Sequence, residues 1–235
     1  MRIMVFNYNK MLPKSIMIGK TAVVIDVFRA TSVITTALAY GVREIIPSLT
    51  IEEALKEFTR KGEHHCILGG EQKMQKIDGF HFGNSPQSYI KNVKDKIIIL
   101  TTTNGTQAIN LCRQANKIYI ASFLNAKHVT ELLQQNNEEI VILCAGSKGS
   151  FALEDALCAG KLLYHLSKTS NIDLDDFAWS LKNMYETNKN NLWNFIANAS
   201  AFSALLNSGF GKDLEFCLQE DIYPIVPQYK NGKIN

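Results

Sequence analysis

The stretch AVVIDVFRATSVITTAL, Ala22 to Leu38, decides how the chain is read. Ala22–Phe28 is apolar and rich in β-branched residues, which predicts a buried strand. Ser32–Tyr40 has helical spacing. Between them the polarity changes abruptly: Asp26 interrupts the apolar run, and Arg29, Thr31 and Ser32 follow. A carboxylate in a buried strand is costly unless something pairs with it or coordinates it. Asp26 is therefore half of a structural ion pair with Arg29, or a ligand to something the chain binds.

The same alternation runs outward from this unit. Further strands are expected at Arg2–Phe6, Glu44–Pro47, His65–Leu68, Lys96–Thr101, Lys117–Ala121 and Glu139–Cys144. Helices are expected at Ile51–Lys61, Pro86–Asn92, Thr106–Gln114, Ala126–Gln135 and Leu153–Ser167. Most strands are continuous Ile/Val/Leu runs, the pattern of strands covered on both faces. The fold class is α/β, one three-layer α/β/α unit over residues 1–235 with a mostly parallel or mixed sheet. After about residue 170 the strand signal stops, and a helical C-terminal third is expected to pack on the body. Its aromatics read as core or as a subunit interface in a homo-oligomer. The end, DIYPIVPQYK, reads as an extended tail.

Of the 235 residues, 46% are hydrophobic and 20% charged, with a formal net charge of +3, which is too mild to imply a nucleic-acid partner. The longest apolar runs, such as Ile97–Leu100 and Ile140–Ala145, are too short to span a membrane. The N-terminus turns polar at once, unlike a signal peptide. The five cysteines form no CxxC pair and read as reduced core thiols in a cytoplasmic protein.

In open parallel sheets, ligands sit beyond the carboxyl ends of the strands. There the sequence places Asp26 and Arg29 with Thr31 and Ser32, then Glu71 in LGGEQ, and Asn84 and Ser85 in GFHFGNSPQ. Thr102, Thr103, Asn104, Gly105 and Thr106 follow in TTTNGT, with Ser147 and Lys148 in AGSKGS and then Glu154 and Asp155. Hydroxyls and free N–H groups at a helix start suit a phosphate oxygen. The Arg29 fork suits phosphate, sulfonate or carboxylate. Asp26, Glu71, Glu154 and Asp155 are hard oxygen ligands of the kind that hold Mg²⁺. Taken singly, TTTNGT also reads as a helix cap, Glu154–Asp155 as first-turn acids on a helix dipole, and Glu71 as a solvated charge. The five histidines lack ligand spacing. No GxxxxGK[ST], no GxGxxG after the first strand and no GxSxG elbow is present.

The motifs IDVFRATSVITTAL, LGGEQ, GFHFGNSP, TTTNGTQAI, ASFLNA and CAGSKGSFALEDALCAG, lying between Val23 and Gly160, resemble those of the 2-phosphosulfolactate phosphatases in order and spacing, and CLQEDIYPIVP resembles that family's ending. The resemblance implies a Mg²⁺-dependent phosphatase that converts 2-phospho-3-sulfolactate to sulfolactate, a step towards coenzyme M in methanogens. On that basis Asp26, Arg29, Asn104, Glu154 and Asp155 are expected to be catalytic, and Asp26 with one or more of Glu71, Glu154 and Asp155 to hold the metal. The threonine turn would cradle phosphate. Direct attack by Asp26 and attack by an activated water both remain open. A protein that binds a phosphorylated or sulfonated acid without turnover, or a phosphatase for another phospho-hydroxy acid, would use the same loops.

Overall fold

The computed structural model describes residues 1–7, 12–136, 138–147 and 149–235. Its strands are β1 (Arg2–Asn7), β2 (Thr21–Ile25), β3 (Glu44–Pro47), β4 (Cys66–Gln72), β5 (Gln75–Lys76), β6 (Ile97–Thr101), β7 (Lys117–Ala121), β8 (Ile140–Cys144), β9 (Asp173–Leu174), β10 (Gln228–Lys230) and β11 (Lys233–Ile234). The helices are α1 (Ala30–Ala39), α2 (Ile51–Lys61), α3 (Gly105–Leu111), α4 (Ala126–Gln134), α5 (Leu153–Thr169), α6 (Asp176–Asn188), α7 (Leu192–Ile196), α8 (Ser200–Asn207) and α9 (Gly211–Cys217).

Successive residues of a strand point to opposite faces, and β2 is buried on both. Val23 and Ile25 join a core formed with α4, α5 and the C-terminal helices. Ala22 and Val24 join a second core with Val33, Ile34 and Ala37 of α1 and Ala108 and Ile109 of α3. A third cluster under α2 includes Ala54, Leu68 and Ile99. Helices therefore cover both sides of the sheet, the three-layer α/β/α arrangement expected from the uninterrupted apolar strands.

The sheet order is β5-β4-β6-β3-β11-β10-β7-β2-β8-β1-β9. Two parallel blocks, β4-β6-β3 and β7-β2-β8-β1-β9, are joined by the antiparallel β10–β11 hairpin. The C-terminus is thus not a tail lying on the body but the seam of the sheet, a correction to the sequence reading. Asn231 and Gly232 adopt φ of 53° and 86°, supplying the left-handed pair that a tight hairpin needs. Pro227 stands just before β10 and enters the ladder only as an acceptor, its carbonyl taking the Ile120 N–H of β7 at 2.9 Å. A third strand after residue 170, β9, pairs with β1.

Two further expectations shift. Pro86–Asn92 forms one short 3-10 turn, Pro86–Tyr89, because Tyr89 turns inward to give its hydroxyl to the Gly83 carbonyl (2.7 Å) and Asn92 is left-handed (φ 61°). β2 ends at Ile25, so Asp26 lies just beyond the strand rather than in it. The chain crosses from one parallel block to the other through α1 and again through α3. Ligand crevices form where strand order switches in this way.

Candidate active site

A cleft of about 320 Å³ opens at the carboxyl ends of β3, β4 and β6, lined in part by Thr50, Glu52, Glu71, Thr102, Thr103 and Gln107. Its ionisable lining, Glu52 and Glu71, is acidic. Asp26, Arg29 and Glu154 do not line it, but the threonine turn links Asp26 to it. Thr102 and Thr103 face the cleft, and Gly105 touches Asp26.

That contact is close. A Cβ on Gly105 would lie 2.8 Å from Asp26 Oδ2 and 2.4 Å from the Ala30 Cβ, so only glycine lets the turn approach. Thr31 fixes the Asp26 backbone twice: its hydroxyl donates to the Asp26 carbonyl (2.8 Å) and accepts from the Asp26 N–H (3.0 Å). Ser32 Oγ donates to the Val27 carbonyl at 2.9 Å. The Asp26 side chain is buried, and its Oδ1 accepts the Ala30 N–H at 3.2 Å. Burial pushes its carboxyl up to about 6, opposed by the Ala30 amide and reinforced by the charge of Glu71.

Glu154 and Asp155 begin α5 and are also buried. Asp155 spends both oxygens on backbone, accepting Val27 N–H (2.8 Å) and Gly146 N–H (2.9 Å), so it staples the loop after β2 to the loop after β8. Burial, then Glu154 and Asp26, hold its carboxyl well above the usual range. Burial also pushes Glu154 up to about 7, with Asp26 contributing, and Glu154 Oε2 has no hydrogen-bond partner. The acids form an array in which Asp26 feels Glu71, Glu154 and Asp155.

Glu71 occupies the start of the threonine turn. Its Oε1 accepts from Thr103 N–H (2.9 Å) and Oγ1 (2.7 Å), and its Oε2 from Met74 N–H (2.8 Å). Thr102 and Thr106 cap one another: Thr106 N–H donates to Thr102 Oγ1 (3.1 Å) and Thr106 Oγ1 to the Thr102 carbonyl (2.8 Å). Asn104 precedes α3, half-buried, with no capping bond from its side chain.

Arg29 does not pair with Asp26. Its Nη1 donates to Asp213 Oδ2 of α9 at 2.5 Å, and the Phe210 ring lies 4.0 Å from its guanidinium carbon. Ser85 Oγ donates to the other Asp213 oxygen at 2.6 Å, and the neighbouring Asn84 Oδ1 is buried without a partner. Ser147 is half-buried and bridges Ser150; Lys148 lies outside the described residues. Sequence reasoning missed Asp213 and Phe210. They are 184 and 181 positions from Arg29, and in the sequence Asp213 reads as an ordinary first-turn acid.

Among the described residues, no three His, Cys, Asp or Glu side chains form a ready chelating set. Mg²⁺ commonly takes only one or two protein carboxylates, completing its shell with water and substrate oxygens. Glu71 and Asp155 have committed their oxygens, whereas Glu154 keeps an orphaned buried one beside Asp26. A buried carboxylate with no partner is expensive, and a divalent ion would satisfy it. The donor set at Asp26 and Glu154 fits such an ion.

Fold and site together define an α/β protein whose strand-end loops gather mutually repelling acids and one clamped arginine. The chain belongs to the 2-phosphosulfolactate phosphatase family: residues 6–232 match the sequence profile described as 2-phosphosulpholactate phosphatase. It is 42% identical over 218 residues to a probable 2-phosphosulfolactate phosphatase of Clostridium beijerinckii, covering 92% of this chain and 91% of that one. Proteins of the same description from Clostridium perfringens (43% over 220 residues, 92% and 88% covered) and Clostridium acetobutylicum (43% over 218 residues, 92% of each) are similarly close.

Proposed function

We propose that this chain is a Mg²⁺-dependent phosphatase that hydrolyses 2-phospho-3-sulfolactate to 3-sulfolactate and phosphate. The observation that carries the reading is the convergence of Asp26 with the threonine turn at Gly105, next to the unpartnered Glu154. The substrate is a multiply charged anion, yet the ionisable residues of the cleft lining are acids. An anion in that cleft calls for a cation beside it; Asp26 and Glu154, behind the threonine turn rather than in the lining, are the groups we assign to hold one. Bound there, Mg²⁺ would neutralise charge on the phosphate oxygens as it develops.

The remaining roles belong to the protein. Arg29 presents donors to a phosphate or sulfonate oxygen from a fixed position. The half-buried Asn104 meets the substrate at the turn, with Ser147 on the loop after β8, while Thr103 is held by Glu71. Asp155 keeps the loops after β2 and β8 in register, the loops that flank Asp26 and lead to Glu154. Phosphoryl transfer depends mainly on such positioning and charge neutralisation. In the net reaction the bond from phosphorus to the C2 oxygen breaks, water supplies the new oxygen on phosphorus, and a proton returns to the alcohol. The five buried, unpaired cysteines suit a reducing cytoplasm.

The test is phosphate release from 2-phospho-3-sulfolactate by metal-stripped protein with Mg²⁺ added and withdrawn. Turnover that EDTA abolishes and Mg²⁺ restores is expected. Tight binding of the compound without release of phosphate would instead make the chain a binding protein.

A further inference from the structure

We infer that Asp213, helped by Phe210, is a positioning residue for Arg29, so that the last helix of the C-terminal layer completes a site otherwise built from sheet loops. This rests on the reading of Arg29 as a substrate-anion ligand. Asp213 is 4% exposed and Arg29 2%. The two Asp213 oxygens are divided between Arg29 Nη1 (2.5 Å) and Ser85 Oγ (2.6 Å), and Phe210 covers the guanidinium at 4.0 Å. The planar group is thus held at one edge and one face, and among the described residues no other protein acceptor takes an Arg29 side-chain N–H. The direction of the remaining N–H donors is fixed by this clamp, and the proposed role assigns them to the substrate anion.

Stability alone does not explain the arrangement. A buried ion pair roughly breaks even against apolar replacement. Fixing a donor fork in advance, however, removes the cost of ordering it when the substrate arrives. The clamp also joins three parts of the chain: the loop after β2, the GFHFGNSP loop through Ser85, and α9. Gln87 Nε2 adds a bond to the Lys212 carbonyl (3.0 Å) along the same seam.

The experiment places Asp213→Asn and Asp213→Ala in the full chain, each alone and with Arg29→Ala. It measures kcat and KM for 2-phospho-3-sulfolactate, calorimetric affinity for 3-sulfolactate, and Tm. Asp213→Asn keeps the shape and should lower kcat about 10-fold, and Asp213→Ala about 100-fold, the scale of a misplacement near 1 Å. KM should not improve, although either change makes the field around Arg29 more positive. In the Arg29→Ala background either change should cost no more than about 2-fold, because its effect passes through the missing guanidinium. A full further loss in that background, or a lowered Tm with unchanged turnover per folded molecule, overturns the assignment; if Asp213→Ala fails to fold, Asp213→Asn decides. A wild-type chain that binds 3-sulfolactate without phosphatase activity refutes the proposed reaction alone, and the same double-mutant comparison is then read in affinity. A chain that neither binds nor hydrolyses overturns both.

Discussion

Two sets of charges lie along α5, and they are treated in opposite ways. On α5, Lys161 is 1% exposed, and its Nζ lies 2.7 Å from Asp221 Oδ2 and 2.8 Å from Glu220 Oε1. Asp221 Oδ1 accepts the Lys127 N–H (2.6 Å), and Tyr185 gives its hydroxyl to Glu220 (3.2 Å). At the start of the same helix, Asp26, Glu154 and Asp155 repel one another, and Glu154 Oε2 has no partner. The first set is finished by the chain itself and pins the segment that leads into the β10–β11 seam. The second is left open. The proposed cation site rests on this contrast: an acid left unmatched in a fold that pairs its other buried charges is a functional candidate.

The contrast can be broken from either side. The largest effect belongs to Asp26→Asn, which should abolish measurable hydrolysis while the Tm in EDTA stays level or rises, since an unmatched buried charge is gone. Near-normal turnover would remove Asp26 from the chemistry. Glu154→Gln should reduce kcat/KM about 100-fold, the scale of losing one preorganised electrostatic contact, again without loss of Tm in EDTA. Lys161→Met should do the reverse. It should cost about 2 kcal/mol in urea unfolding, less than a fully enclosed pair because Glu220 and Asp221 can rewet, and leave kcat unchanged.

The pH dependence of stability sharpens the comparison further. Asp26 and Glu154 have folded values near 6 and 7, above those of free carboxyls. The folded chain therefore keeps protons that the unfolded chain releases, and metal-free stability should fall as pH rises from about 4 through 7. A Tm decline of roughly 2–4 °C per kcal/mol is expected across that window, and Mg²⁺ should flatten it. A metal-free Tm that climbs over the same range would contradict this. The smallest effect is at the seam. Glu44 is held below the usual range chiefly by Lys233 (2.8 Å), with Lys61 at 3.1 Å. Lys233 is half-exposed, so Lys233→Ala should cost only about 0.5 kcal/mol. That loss should be visible near neutral pH and vanish once Glu44 protonates below pH 4.

Much of this architecture was legible in the sequence because it follows from local pattern. Unbroken runs such as Ile97–Leu100 marked the parallel strands, and strand-to-helix junctions marked the loops that carry Asp26, Glu71, Thr102–Thr106 and Glu154. The seam was not read, although Asn231-Gly232 between two short β-capable segments is a hairpin signal; the nearby prolines masked it. The Arg29 clamp left no local signal, because its partner is 184 residues away and Asp213 does in sequence what any first-turn acid does. The unequal roles of the acids were equally hidden. Only coordinates distinguish Asp155, both of whose oxygens hold amides, from Glu154, whose Oε2 holds nothing.

The most direct test of the open acid set is calorimetric titration of Mg²⁺ into metal-stripped wild-type protein and into Asp26→Asn. One bound ion per wild-type chain, with binding lost in the variant while its Tm is preserved, is the expected result. Equal affinity in both proteins, or no binding in the wild type with or without 3-sulfolactate and phosphate present, would contradict the assignment of Asp26 and Glu154 as a cation site.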